Sequence, residues 1–143
     1  MNRPPIEVLR EGCAILDPVL IEHGFSFTNG SSGRSSGGHY ASGAYVNADR
    51  NLEIHYRYAL GLVTYHFGQT SIDHESYMRA ILMDKGGSRY PGFSDDPLAA
   101  FRDLAYDLQN FATAFLEGNF EQFAICAAEA EQWKKIPGIA RLP

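Results

Sequence analysis

Long apolar runs are missing from this sequence of 143 residues. A membrane-spanning helix requires about 18 or more consecutive apolar residues, and no stretch of the chain approaches that length. Residues 1–5, Met-Asn-Arg-Pro-Pro, also lack the apolar run of a secretory signal. We therefore expect a cytoplasmic protein that does not bind a membrane.

Cysteine is scarce, with only Cys13 and Cys126 present. A chain of this length buries roughly 70% of the surface that its unfolded form exposes, so a core can form without disulfides or metal ions. Cys13 falls on an apolar helical face and Cys126 in an alanine-rich helical segment. The sequence predicts that both are small buried side chains rather than disulfide partners or nucleophiles.

Basic residues are outnumbered, since 12 Lys and Arg stand against 17 Asp and Glu and give a net charge of -5. This balance argues against nucleic-acid binding, which usually shows a clustered basic patch. Between Asp95 and Glu131 there are eight acids and one base. This stretch is either a solvated helical face or an acidic surface that steers a basic partner protein. The candidate residues of the acidic surface are Asp103, Asp107, Glu117 and Glu121.

Catalytic and metal-binding motifs are absent as well. No His-Glu-x-x-His or Gly-x-Ser-x-Gly pattern occurs. Asp73-His74-Glu75 is better explained as a helix start, where acids favour the positive end of the helix dipole. The Gly/Ser-rich run at residues 29–38 includes Arg34 but no Gly-Lys-Ser/Thr, so it predicts a mobile loop and not a phosphate-binding one. We expect no cofactor and no bound metal.

Hydrophobic periodicity predicts a single α+β domain over residues 1–143. Apolar side chains from Ile6 to Leu20 recur at spacings of three and four, which predicts a helix that ends at Gly24. A small antiparallel meander of about four strands follows, and three helices then pack on one face of this sheet in a two-layer fold. The predicted strands cover residues 25–27, 39–47, 52–58 and 62–67, and the later helices begin near Asp73, Pro97 and Phe120.

Two of the strands define a candidate binding surface. Alternation along residues 52–58 and 62–67 separates apolar from polar side chains, so one face of this hairpin is polar. We expect His55 to lie opposite His66, with Leu60-Gly61 as the turn, because a slip of one residue would put His66 among the apolar set. The polar face is either the solvated side of the sheet or a binding surface. Its candidate residues are Glu53, His55, Arg57, Thr64 and His66.

A second candidate is the loop Arg89-Tyr90-Pro91-Gly92-Phe93. Aromatic residues around Pro-Gly indicate a rigid turn, in which we expect Phe93 to pack on the core. Arg89 and Tyr90 belong to types enriched at binding interfaces, so they either pack there or contact a partner. Seven of the eight tyrosines also fall between residues 40 and 90. Tyrosine together with Ser and Gly is typical of adaptable recognition surfaces.

The segment from Ile15 to Phe27, Ile-Leu-Asp-Pro-Val-Leu-Ile-Glu-His-Gly-Phe-Ser-Phe, resembles the start of small bacterial α+β proteins that serve as immunity or accessory proteins in toxin systems. The run Leu-Gly-Leu-Val-Thr-Tyr-His-Phe at residues 60–67 is similar to uncharacterised bacterial proteins. The resemblance implies a helix that leads through Gly-Phe into a sheet, and it implies no catalytic residue.

We therefore predict a small protein-binding module, of the kind that neutralises a partner protein as an immunity-type inhibitor. Two alternatives stay open. One is a small-ligand-binding protein or enzyme that uses His55 and His66, since facing imidazoles can exchange protons near neutral pH. The other is a structural subunit that forms an oligomer.

Overall fold

A computed structural model describes residues 4–35, 38–83, 85–92 and 94–135. The order within these residues is one helix, five strands and then four helices. The strands are β1 Ser26–Ser35, β2 Gly38–Asn47, β3 Arg50–Tyr56, β4 Leu60–Phe67 and β5 Thr70–Asp73. The helices are α1 Pro5–Glu22, α2 His74–Leu82, α3 Ala99–Phe111, α4 Thr113–Leu116 and α5 Phe120–Lys135.

Each strand pairs antiparallel with the next one along the chain, so the sheet order is β1-β2-β3-β4-β5. The predicted α+β fold with an antiparallel meander is confirmed, with five strands rather than about four. The additional strand, β5, returns from β4 through a turn at Gly68, whose φ of 62° favours glycine. Asp73 ends β5 and caps α2 by accepting a hydrogen bond from the Ser76 N–H at 3.0 Å.

The Gly/Ser-rich run forms part of β1, so the predicted mobile loop is wrong for residues 29–35, while residues 36–37 lie outside the described part of the chain. The β1–β2 register shifts between Asn29 and Ser32, a stretch that includes Ser31. There the Ser31 N–H donates to the Ser42 hydroxyl at 3.1 Å, and that hydroxyl donates to the Ser31 carbonyl at 3.2 Å. Because β2 satisfies backbone groups of β1, a segment with little apolar surface still forms a strand.

The helices pack against one side of the sheet, which we call the inner face. The ring centre of Tyr65 on β4 lies 4.8 Å from that of Tyr77 on α2 and 4.9 Å from that of Phe115 on α4. Phe123 on α5 lies 5.9 Å from Phe115. All four side chains are fully buried. These aromatic contacts hold three helices on the inner face, and the opposite side of the sheet is called the outer face.

The predicted N-terminal helix is confirmed, and α1 is continuous through Pro18. Gly12 lies so close to the Phe101 ring on α3 that a side chain at this position would overlap the ring. The Tyr45 hydroxyl on β2 donates to Asp17 Oδ1 at 2.7 Å. α1 is therefore fixed both to α3 and to the inner face of the sheet.

Both cysteines are free thiols. Cys13 is buried and Cys126 is half-buried. Burial raises the pKa of each thiol, and that of Cys13 reaches about 11. A thiol that stays protonated at neutral pH is a weak nucleophile. The predicted burial is confirmed for Cys13, whereas Cys126 is only half-buried.

The single helix predicted to begin near Pro97 is divided into α3 and α4, with Ala112 between them. Asp96 Oδ1 accepts a hydrogen bond from the Leu98 N–H at 2.9 Å, so this acid closes a turn ahead of α3 instead of capping the helix itself. The predicted packing of Phe93 concerns a residue outside the described part of the chain.

Candidate functional site

The polar surface predicted for the β3–β4 hairpin lies on the outer face, but the predicted pairing is wrong. Ile54 lies opposite Val63 instead of Phe67, a shift of four residues along β4. The residue opposite His66 is Asn51, not His55. An even shift leaves every side chain on its predicted face, because the two faces alternate with a period of two.

The turn and an irregularity in β4 explain the shift. Leu60 is buried at the start of β4, so it does not belong to the turn, which lies at residues 57–59. Gly61 and Leu62 together lie opposite the single residue His55, which makes this part of β4 a β-bulge. The Leu62 side chain remains 61% exposed.

Glu53 joins the two candidate histidines. Its Oε2 lies 2.7 Å from His55 Nε2, and its Oε1 lies 2.8 Å from His66 Nε2. His66 Nδ1 in turn lies 2.7 Å from the Ser71 hydroxyl on β5. We call these four residues the Glu53 cluster. The histidines therefore meet through one carboxylate and not face to face.

The protonation pattern of the cluster follows from its acceptors. An ionised carboxylate only accepts hydrogen bonds, so the Nε2 atoms of His55 and His66 are the donors. Nδ1 of neutral His66 then accepts the proton of the Ser71 hydroxyl. The hydrogen bonds from His55 and then His66 lower the pKa of Glu53 below its ordinary value. The ionised carboxylate thereby fixes the orientation of both imidazole rings.

Ser71 is the cluster residue that the sequence patterns miss. It lies on β5, opposite His66. A strand of only four residues gives too short an alternation to be recognised, and Ser71 also suits the start of the following helix. The burial of Ile72 next to the exposed Ser71 is the one periodic signal of this strand.

Arg57 has a different set of contacts. Its Nη1 donates to the Gly38 carbonyl at 2.8 Å, and its guanidinium carbon lies 5.5 Å from the centre of the Tyr40 ring. Thr64 lies opposite Glu53 and is half-buried. The predicted polar surface thus divides into the Glu53 cluster with Thr64 beside it, and Arg57 near the β1–β2 hairpin.

Within the described residues, no three or more His, Cys, Asp or Glu side chains are placed to hold a metal ion. In the Glu53 cluster both imidazoles direct their Nε2–H at the carboxylate, so these two nitrogens are occupied as donors. The arrangement suits hydrogen bonding and proton exchange better than coordination of a cation.

Tyr90 is buried. This excludes the predicted alternative in which its side chain contacts a partner. Only 7% of the residue is exposed, and its hydroxyl donates to the Leu60 carbonyl at 2.6 Å, with the Gly61 carbonyl also in reach. These carbonyls border the β4 bulge, where the strand ladder is disrupted. Arg89 is exposed, and its guanidinium carbon lies 3.6 Å from the centre of the Tyr106 ring.

Asp107 is also buried, so its predicted place on an acidic surface is wrong. Its Oδ2 lies 2.8 Å from His74 Nε2 and accepts the Tyr90 N–H at 2.9 Å. Its Oδ1 accepts the Arg89 N–H at 2.7 Å. His74 Nδ1 lies 2.7 Å from the Tyr65 hydroxyl. We call Tyr65, His74 and Asp107 the buried network.

The buried network is fully satisfied when His74 is neutral. Its Nε2–H then donates to the Asp107 carboxylate, and its Nδ1 accepts the Tyr65 hydroxyl proton. Burial is the main cause that raises the pKa of Tyr65 well above its ordinary value, and the nearby Tyr77 and Asp107 raise it further. The phenol therefore keeps its proton. Buried polar groups with every partner in place hold elements together. We assign this network to the stability of the fold.

The other acidic candidates lie closer to the surface. Glu117 and Glu121 are exposed, and Asp103 is half-buried. Glu117 Oε2 lies 3.6 Å from His23 Nδ1. With Asp107 buried, the acidic surface contains fewer charges than the count along the chain predicts.

None of the helices in the described ranges is long and apolar enough to cross a membrane. Comparisons with known protein families, with curated proteins and with solved structures find no match. Function is therefore inferred from the geometry of the site itself.

Proposed function

We propose that this chain is a small protein-binding module, an immunity-type inhibitor that neutralises a partner protein through the outer face of its sheet. The observation that supports this proposal is that the described helices pack on the inner face. The outer face then offers a partner the Glu53 cluster and, beside it, Leu62, which is 61% exposed. An apolar side chain next to polar groups matches the apolar core and polar rim of protein interfaces.

The fixed geometry of the Glu53 cluster favours binding. Immobilising one long side chain at an interface costs about 0.5–1.5 kcal/mol. His55, Glu53 and His66 are already held by hydrogen bonds of 2.7 and 2.8 Å in the free chain. Docking of a partner on these three side chains therefore costs less side-chain entropy than docking on a surface whose side chains are unrestrained.

The expected partner is basic. The chain has a net charge of -5, and Glu117 and Glu121 are exposed on or next to the C-terminal helices. A surface of one sign raises the rate at which an oppositely charged protein associates, and this effect weakens as salt is added.

The test uses the products of the genes that neighbour this one, purified and titrated with the chain by calorimetry. Leu62→Arg places a charge on the outer face, and Ile125→Arg is the matched control, because Ile125 is 60% exposed on α5. We expect one basic gene product to bind, with affinity lowered at least about tenfold, or about 1.4 kcal/mol, by Leu62→Arg alone. Absence of any binding, or equal effects of both substitutions, would contradict the proposal.

A second candidate function rests on the hydrogen-bond chain from Ser71 through His66 to Glu53. A hydroxyl, an imidazole and a carboxylate in this order are the groups of an acyl-transfer site. We propose as the alternative that the Ser71 oxygen attacks an ester carbonyl while its proton passes to His66 Nδ1. That proton then leaves with the alcohol, and water hydrolyses the acyl-serine.

Hydrolysis of p-nitrophenyl acetate tests this alternative. Ser71→Ala should abolish the rate above that of buffer, whereas Thr70→Ala on the same strand should leave it unchanged. A wild-type rate no higher than that of Ser71→Ala would exclude acyl transfer and leave the protein-binding proposal standing.

A further inference from the structure

A groove of about 900 Å³ opens where the first residues of α1, the β1–β2 hairpin and the end of β3 meet. Small-molecule sites typically have volumes of about 300–1,000 Å³. No residue of the Glu53 cluster lines this groove. It is therefore a separate site, which the proposed protein-binding function does not use.

Basic side chains predominate among the charged groups of the groove. Among the described residues, Arg34 and Arg57 line it against one acid, Asp95, and the His39 imidazole also lines it. Arg34 and His39 lie opposite each other on β1 and β2, so strand pairing brings them together. In a chain with a net charge of -5, this is a local excess of positive charge. The groove is thus complementary to an anion.

Arg57 is held in position for such a ligand. Its Nη1 donates to the Gly38 carbonyl at 2.8 Å, and its guanidinium carbon lies 5.5 Å from the Tyr40 ring centre. A guanidinium group can make paired hydrogen bonds to a carboxylate or a phosphate, which a lysine ammonium group cannot. Restraining it in advance lowers the cost of forming those bonds.

The rest of the wall is apolar or aromatic. Tyr56 and Tyr58 line the groove together with prolines from α1 and from the segment before α3. Tyr58 is 75% exposed, so one side of its ring is accessible to a ligand. Aromatic rings beside arginines suit a ligand whose anionic group is attached to a flat apolar body.

From this arrangement we infer that the groove binds a small organic anion in which a phosphate or carboxylate group is joined to a flat apolar body. Arg34 and Arg57 take the anionic group, and Tyr58 covers the apolar part. The Gly/Ser-rich strand β1 contributes the Arg34 side chain, and its pairing with β2 places that side chain opposite His39.

Phenyl phosphate and benzoate serve as probes, titrated into the full chain and followed by calorimetry or NMR. Inorganic phosphate has only the anionic group of the proposed ligand, and benzyl alcohol has only its flat apolar body. We expect at least one of the two aromatic anions to bind, and each half alone to bind at least about tenfold more weakly. Salt should weaken binding of the aromatic anion, since the contact is ionic.

Substitutions test whether the aromatic anion binds in this groove. Arg34 is exposed, so Arg34→Gln should fold normally and lower the affinity at least about tenfold, as should Arg57→Gln. Arg10→Gln is the matched control, because Arg10 is exposed on α1 but does not line the groove. His55→Ala should also leave this affinity unchanged, which separates the groove from the outer face. No binding of either aromatic anion at millimolar concentration, equal binding of benzyl alcohol, or unchanged affinity in Arg34→Gln would each overturn the inference.

Discussion

His74 Nε2 lies 2.8 Å from Asp107 Oδ2, and the two side chains are 2% and 0% exposed. This pair connects α2 to α3. Through the N–H groups of Arg89 and Tyr90, the same carboxylate also holds the segment that precedes α3. Tyr90 then reaches the carbonyls of the β4 bulge. One buried acid thus joins two helices, a connecting segment and the sheet.

Replacing Asp107 by Ala should destabilise the fold strongly. Removing the carboxylate leaves the N–H donors of His74, Arg89 and Tyr90 without an acceptor. A buried donor left unsatisfied costs about 1–3 kcal/mol. Urea unfolding of the variant should show this loss in the free energy of unfolding. Glu121→Ala, at an exposed acid, is the control and should change it by less than about 0.5 kcal/mol. Equal stability of the two variants would disprove the role assigned to Asp107.

Tyr90→Phe should lower the free energy of unfolding by about 1–2 kcal/mol, because it removes the donor to the bulge carbonyls and keeps the ring. Tyr106→Phe keeps the ring under Arg89 and is the matched control, expected to have little effect. Chemical denaturation measures both. If Tyr106→Phe cost as much, the Tyr90 hydroxyl would have no special part in holding the bulge.

The Glu53 cluster predicts a small dependence of stability on acid pH. The pKa of Glu53 is lower in the folded chain than its ordinary value of 4.5. The carboxylate therefore contributes stability above about pH 4.5, and this contribution is lost as the pH falls through the lowered pKa. The effect is modest because the side chain is 41% exposed to solvent. Unfolding curves from pH 6 to pH 3 should show the stability difference between wild type and Glu53→Gln shrinking with acid, and a constant difference would contradict it.

Gly12→Ala should destabilise the chain although alanine is the better helix former. The new methyl group would overlap the buried Phe101 ring, and overpacking of this kind costs about 1–3 kcal/mol. Ala14→Gly, at an exposed position on the same helix, should cost about 1 kcal/mol through helix propensity alone. Thermal unfolding compares them, and a stabilised Gly12→Ala variant would show that Phe101 moves aside without cost.

Periodicity in the sequence was sufficient to predict most of the helices and strands. The spacing of apolar residues in α1 and the alternation in β3 and β4 are local properties, and each was interpreted correctly. Most of β1 is not predicted as a strand, because its Gly/Ser composition does not indicate that β2 supplies its hydrogen bonds. β5 was missed for a related reason, since a four-residue strand has almost no period to detect.

The candidate site was predicted as a face but not as a set of contacts. Alternation in the sequence predicts that Glu53, His55 and His66 lie on one face. The pairing of β3 with β4, however, depends on a bulge in β4, and no single residue indicates a bulge there. Burial of Asp107 depends on His74, which lies 33 positions earlier, and on two backbone N–H groups. Such contacts between distant residues exist only in the folded chain, so a charge count along the sequence could not detect them.

The contact between Gly12 and Phe101 can form only late in synthesis. The two residues lie about 90 positions apart, and ribosomes add about 5–20 residues per second, so several seconds separate their appearance. Throughout that interval the apolar side of α1 lacks its helical partner. Until α3 has been translated, only earlier segments such as β2 are available to cover that side of α1.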